Sequence, residues 1–251
     1  MAPYSSIMEK CMLPVCGKPI IRIIIEKILK SEAFKPEDII ISVLEKNVLN
    51  FKHEFRDLGI DVRGIPESPS TANHYEYVSD HLDLSHSDGD VMVHYGDNIA
   101  DINYGFMCVE YALAKDNNIP FLVAATRLVK YDYSLIKYKS KVNSALELII
   151  AGKHASNSFN MATEFVEKPY VPDPSWMGIL MAPDSAIRNE IRWVRGKSGV
   201  VNVDFGFDVL PNLAKDNRLA VYLYDGEWWD VGNTAAYLKL IKRAEAGQFK
   251  I

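Results

Sequence analysis

The chain has 251 residues, enough for one substantial core or a core with a small lobe, and its 48% hydrophobic and 24% charged residues are ordinary for a globular protein. A net charge of −5 leaves no basic footprint for nucleic acid, so a small anionic ligand would be held by a few local Lys or Arg residues. No run approaches the ~20 apolar residues of a membrane span, and the N-terminus lacks the apolar core of a secretory signal. The three cysteines, Cys11, Cys16 and Cys108, show no metal-ligand spacing and fit a reducing compartment, so the expected location is cytoplasmic.

In chain order, Pro19 to Lys30 carries Ile20, Ile21, Ile24, Ile25, Ile28 and Leu29 at helical spacing, with Pro19 in the first turn. Asp38 to Leu44 is a near-continuous apolar run, as expected of a strand covered on both faces. Asn47 to Leu58 reads as a helix stopped by Gly59, Asp61 to Ile65 as a strand, and Thr71 to Leu84 as a helix. Asp90 to Tyr95 is a strand that ends in Gly96-Asp97; Asn103 to Asp116 is a helix and Phe121 to Leu128 a strand. This alternation predicts an α/β fold with a doubly wound, mostly parallel sheet. The second half is less regular: strands are expected at Met161 to Val166, Trp176 to Met181 and Leu219 to Tyr224, helices at Phe205 to Lys215 and Thr234 to Ala246. Lys130 to Asn160 reads as either a hairpin or a helix. One domain is expected, with residues 1–130 and 131–251 as its halves.

Asp97 follows an apolar strand, so it projects at the carboxyl end of the sheet, where open α/β folds bind ligands, and Gly96 allows a close approach to the backbone. Asp is a hard oxygen ligand suited to Mg²⁺, although a residue at this place can equally just begin a turn. Asp230, in GEWWDVGN, is a second lone acid, with Asn233 and Thr234 beside it as candidate helix caps. Lys10 stands before CMLPVCGKP, and Lys168 closes the strand of EFVEKP. Each lysine alone would be a solvated charge, but phosphate substrates need such point charges.

These elements succeed one another in the order KCMLPVCGKPII, PSTA, VHYGDNIAD, EFVEKP, WMGILM, FDVLPNL and WWDVGN. The succession resembles the sugar-1-phosphate nucleotidyltransferases, over about residues 3–246. The resemblance implies a Rossmann-like nucleotidyltransferase fold and a reaction in which an NTP and a sugar 1-phosphate give an NDP-sugar and pyrophosphate, dependent on Mg²⁺. It implies Lys10 and Lys168 as catalytic and Asp97 and Asp230 as the metal ligands. It also implies Ser70, Thr71 and Gly96 at the nucleotide, and Glu167, Gly178 and Ser134 at the sugar. Lys18 matches a structural residue. No general base is required, because a phosphate monoester is already ionised near neutral pH, and none of the six histidines is given a role.

The chain departs from the family's pattern in three places. Family members open with an apolar strand and a glycine-rich loop that cradles the triphosphate. This sequence matches the family only from the residues after that loop, which implies either a start placed at an internal methionine, the favoured explanation, or a true loss of the loop. The missing central strand is expected to lower stability and to leave its two neighbours unpaired or pushed together. A nucleotide-contacting Gly-Thr-Ala reads Ser70-Thr71-Ala72 here, and a Tyr-Gly near the sugar reads Tyr133-Ser134. Ile65 stands where some relatives carry a polar residue that reads the base. Two rival readings are a non-catalytic nucleotide-sugar-binding regulatory relative and a nucleotide-sugar-dependent glycosyltransferase. The D-x-D motif of the latter is absent from Gly96-Asp97-Asn98. The identity of sugar and base stays open, and a homo-oligomer is compatible with the sequence.

Overall fold

The computed structural model describes residues 8–67, 70–81, 89–127, 129, 135–142, 149–150, 153–154, 158–166 and 173–249. They form two compact units, one made of the chain up to Thr126 together with Trp176 onward, the other of Arg127–Ser175. In chain order the elements are β1 (Pro14–Val15), β2 (Lys18–Pro19), α1 (Ile20–Lys30), β3 (Ile40–Leu44), α2 (Val48–Glu54), β4 (Asp61–Ile65), α3 (Thr71–His81), β5 (Asp90–His94), β6 (Asn98–Ala100), α4 (Tyr104–Asp116) and β7 (Phe121–Thr126). The smaller unit carries β8 (Leu135–Val142), β9 (Ile149–Ile150), β10 (Lys153–His154) and β11 (Ser158–Val166). The chain continues with β12 (Ser175–Pro183), α5 (Asp184–Ser198), α6 (Leu210–Lys215), β13 (Leu219–Tyr224), β14 (Trp228–Asp230) and α7 (Thr234–Glu245).

The principal sheet has the order β13-β7-β12-β5. β13 runs parallel to β7, while β12 runs antiparallel to β5, pairing Ile179 with His94 and Pro183 with Asp90. β3 and β4 form a separate parallel pair, with Ile40 opposite Asp61 and Leu44 opposite Ile65. Every residue of β7 is buried, as expected for a strand packed on both faces. The arrangement is the mixed, mostly parallel α/β fold expected from the alternation. Among the described residues, β3 is bonded only to β4 and β5 only to β12, so β3 and β5 each keep an open edge.

Three apolar clusters hold the larger unit together. On one face of the sheet α1, α4 and α7 cover Ile179, Met181, Leu122 and Tyr222. On the other, α3, α5 and α6 cover Phe121, Val123, Leu180 and Ala182. Ile25 of α1 joins Phe51 and Phe55 over Ile41, Val43 and Val62 of the β3–β4 pair. Helix α1 therefore serves two layers with two stripes of isoleucine, which its near-continuous apolar sequence supplies. No helix among the described residues is long and apolar enough to cross a membrane.

Several expectations shift in detail. Pro19 caps α1 from outside its first turn, and the segment expected to be one helix from Phe205 begins as a π-helical turn, Phe205–Val209, before α6. In the smaller unit Lys130 to Asn160 contains strands: β8 pairs antiparallel with β11, and β9 with β10. Helix α5 has no counterpart in the sequence reading. It carries only Ile187, Ile191 and Val194 as a buried aliphatic stripe among charged residues, and Gly199, left-handed at φ 68°, ends it.

His94, in β5, introduces an acid-sensitive contact. A carbonyl oxygen can only accept, so Nδ1 carries the proton and donates to the Tyr95 oxygen at 2.8 Å. Nε2 then accepts from the Tyr104 hydroxyl at 3.2 Å. Burial pushes the His94 pKa down to about 4, against smaller upward pulls from the Tyr95 carbonyl and Asp97. The unfolded chain then binds a proton near its ordinary value of 6.5 that the folded chain refuses. Burial of the neutral ring therefore costs no stability above about pH 6.5 and costs up to about 3 kcal/mol as the pH falls toward 4. Denaturant midpoints measured across that window should slope downward on acidification, and His94→Gln should flatten the slope.

Candidate active site

The site begins at the end of β5. Tyr95 N donates to Gly178 O at 3.0 Å, and Asn98 N to Tyr95 O at 3.3 Å, so the chain turns through Gly96-Asp97 and returns as β6. Gly96 packs against the short 3₁₀ turn Lys10–Met12, its Cα facing Cys11 at a spacing where a Cβ would make an ordinary contact of 3.4 Å. That packing delivers Lys10 to Asp97: Nζ donates to Oδ2 at 2.9 Å. The pair is part-exposed, 39% for the lysine and 22% for the aspartate, so the bond contributes little to stability.

Asp230 arrives from far along the chain. β14 pairs antiparallel with β6, setting Asp230 opposite Asn98, and Val231 N donates to Asp97 O at 3.0 Å. The two acids thus sit on neighbouring backbone segments. Withdrawal from water and the Asp97 charge push the Asp230 pKa up, while Lys10 and a hydrogen bond from the Gly232 backbone pull it down. Asp230 is largely exposed, so repulsion from Asp97 is the firmer of the two upward causes. A Cβ on Gly232 would lie 3.1 Å from Asp230 Oδ1, so this glycine leaves room for the carboxylate. Asn233, not Asp230, caps α7, accepting from Ala236 N at 2.9 Å.

Two carboxylates that repel each other, with Lys10 bonded to one and near enough to act on the other, set two negative charges against one positive. Among the described residues no group of three His, Cys, Asp or Glu side chains is arranged for a metal. A cation here would take two protein carboxylates and complete its shell with water and phosphate oxygens. That is the way Mg²⁺ binds, so the residues present fit it.

Ser70 and Thr71 open α3. Thr71 Oγ1 donates to Asp204 Oδ2 at 2.9 Å and accepts from Phe205 N at 3.1 Å. Asp204 also accepts from the Gly206 and Phe207 amides at the start of the π-helical turn, so the Thr71 hydroxyl is tied into a cap. Gly178 is left-handed at φ 71°, and a Cβ there would stand 3.0 Å from Asn98 Nδ2 and 3.1 Å from Tyr95 Cβ. Lys18 pairs with Glu26 at 2.8 Å on α1, in keeping with a structural role. The structure thus brings together Lys10, Gly96, Asp97, Gly178 and Asp230; Glu167, Lys168 and Ser134 lie outside the described residues.

Sequence reasoning missed Asn98 and Trp228. Asn98 is buried and bonded to both Asp97 and Trp228. The available signal was a lone amide between an acid and the apolar Ile99-Ala100.

The profile of the nucleotidyl transferase family matches residues 1–247. Glucose-1-phosphate adenylyltransferase of Thermosipho africanus (strain TCF52B) is 26% identical over 129 residues, covering 46% of this chain and 31% of that protein; the chain spans about a third of the length of this curated relative. Among solved structures, a Bacillus anthracis protein provisionally assigned as a glucose-1-phosphate thymidylyltransferase, in complex with a sucrose, superposes with a TM-score of 0.61 at 17% identity. That match covers 100% of this chain and 92% of the other. HddC from Yersinia pseudotuberculosis superposes with a TM-score of 0.59 at 13% identity, covering 94% of this chain and 90% of the other. At these identities the likeness of structure is one of fold.

Proposed function

Because the chain belongs to the nucleotidyl transferase family, we propose that it couples an NTP to a sugar 1-phosphate, giving an NDP-sugar and pyrophosphate. The observation that carries this reading is the convergence of Lys10, Asp97 and Asp230, drawn from three separate parts of the sequence. The curated relative acts, by its name, on glucose 1-phosphate, and sugar phosphates are the substrate class proposed here.

Attack of a sugar-phosphate oxygen on the α-phosphorus brings two polyanions together, so catalysis consists of positioning and neutralisation. Mg²⁺ on Asp97 and Asp230 would, when bound, supply positive charge between the reacting phosphates. Lys10 exchanges the Asp97 carboxylate for the triphosphate and steadies the departing pyrophosphate. Ser70, Thr71 and Gly96 flank the nucleotide, and Gly178 and Ser134 the sugar. Glu167 holds sugar hydroxyls and Lys168 neutralises the sugar phosphate, as their motif implies. No side chain takes a proton from the nucleophile.

The test is pyrophosphate release across the common NTPs and a panel of sugar 1-phosphates. Lys10→Met should lower kcat/KM by about 10²–10³-fold, the scale of one lost charge-stabilising donor. The thermal midpoint should move by only a few degrees, because a part-exposed ion pair contributes little. Nucleotide binding without turnover in the unaltered chain would instead favour a regulatory relative.

A further inference from the structure

Asn98 comes directly after Asp97 and is only 7% exposed. Both ends of its amide are engaged. Trp228 Nε1 donates to Asn98 Oδ1 at 3.0 Å, and Asn98 Nδ2 donates to Asp97 Oδ1 at 2.9 Å. The direction of this chain is fixed by chemistry. An indole nitrogen can only donate, so it selects the amide oxygen and turns the NH₂ toward the carboxylate. The reversed amide would set N–H against N–H at Trp228 and oxygen against oxygen at Asp97.

The two oxygens of Asp97 are therefore held differently. Oδ1 is bound by a short, neutral, largely buried chain anchored in β14, whereas Oδ2, among the described residues, meets the long, part-exposed side chain of Lys10. The β6–β14 register places Trp228 opposite Ala100 and Asp230 opposite Asn98, so one ladder sets both the anchor of Asp97 and the position of its partner acid. The bare Gly178 leaves the space that Asn98 Nδ2 occupies.

We propose that Asn98 and Trp228 are positioning residues. Through Asp97 Oδ1 they fix the carboxylate rotamer, so that Oδ2 is presented to the space it shares with Lys10 and Asp230 and is free to take a divalent cation when the lysine departs. The proposal rests on the nucleotidyl-transfer reading for its biological meaning, but its physical content is a statement about cation binding. Outer partners that orient a ligating carboxylate typically contribute 10–100-fold to metal affinity.

The neighbouring tryptophan supplies an internal control. Trp229 is buried against Phe249 and beneath Lys239 and Arg243, and its Nε1 has no hydrogen-bond partner among the described residues. Trp228→Phe and Trp229→Phe remove the same N–H from adjacent positions and keep an aromatic ring, but only the first cuts the chain to Asp97.

The experiment measures Mn²⁺ binding to the full chain by water-proton relaxation, Mn²⁺ serving as the paramagnetic substitute for Mg²⁺, with thermal midpoints recorded alongside. Trp228→Phe is expected to weaken Mn²⁺ binding about tenfold or more, and Trp229→Phe less than twofold. Asn98→Ala should match Trp228→Phe, and the double variant should be no weaker than Asn98→Ala alone, because both act through one oxygen. Equal binding by the two tryptophan variants, or additive losses in the double variant, would overturn the proposal. So would absence of Mn²⁺ binding by the unaltered chain. Mn²⁺ binding with the expected variant pattern but no pyrophosphate release would sink the nucleotidyl-transfer reading and leave the positioning role standing.

Discussion

Replacing Asp97 by Asn should reduce pyrophosphate release about 10³-fold while leaving the protein at least as stable as before. The loss arises from three functions that meet on one side chain. Asp97 is a proposed cation ligand, it holds Lys10 at 2.9 Å, and it is the end of the chain from Trp228. The retained stability arises from charge. Withdrawal from water and repulsion by Asp97 together raise the Asp230 pKa above its usual range. A carboxyl that binds its proton more readily when folded favours folding at low pH and opposes it once both acids are ionised. At neutral pH the pair is therefore kept against its own repulsion, as is common where activity and stability conflict. Asp230→Asn, which removes the repelled partner, should raise the thermal midpoint at neutral pH and steepen the loss of stability on acidification that His94 drives, because a protonating Asp230 no longer offsets part of it. A fall in midpoint for both Asn variants would contradict this account.

The second large effect is structural. Gly178→Ala should destabilise the fold by about 3 kcal/mol, a drop in Tm of roughly 6–12 °C. Two causes add. A side chain at φ 71° is strained by about 1–2 kcal/mol, and its Cβ would press on Asn98 Nδ2 and Tyr95 at 3.0–3.1 Å. Both neighbours are constrained, since Asn98 is bonded to Trp228 and Asp97, and Tyr95 stands edge-on to Trp176 at 5.3 Å. Relief can come only by moving the site, so activity should fall together with Tm. Thermal unfolding followed by near-ultraviolet circular dichroism reads the packed aromatic side chains, Tyr95 and Trp176 among them, and a shift below 2 °C would show that the space is larger than the geometry indicates.

Elements that declare themselves through periodicity are legible in the sequence. Phe121–Ala125 is an unbroken apolar run because β7 is buried throughout, and α1 repeats isoleucine because two layers press on it. Asp61–Ile65 and Leu219–Tyr224 lie where expected for the same reason. α5 escapes notice because its buried stripe is thin and its exposed face is dense with Arg, Lys and Glu. β6 and β14 escape because three residues are too few to show a period; their pairing exists only once distant segments meet. The acids are singled out by position after a strand and within a tryptophan-rich turn, but that they stand side by side is a tertiary fact. In the sequence Asn98 reads only as the place where a second acid is lacking. Its value lies in an indole across the ladder, which no spacing along the chain announces. Gly178 reads as a pocket lining from its motif, and that it also makes room for Asn98 and Tyr95 is visible only in the structure.

The open edges of β3 and β5 bear on how the larger unit comes apart. Among the described residues no ladder joins them, and the β3–β4 layer with its cover of Phe51 and Phe55 is coupled to the main sheet by side chains, among them the isoleucines on opposite stripes of α1 and the bond between Ser42 and His74 of α3. Side-chain coupling yields more readily than a row of backbone hydrogen bonds, so this layer is the natural first step of partial unfolding. Since α1 borders the turn that carries Lys10, loosening there reaches the lysine before it reaches either aspartate.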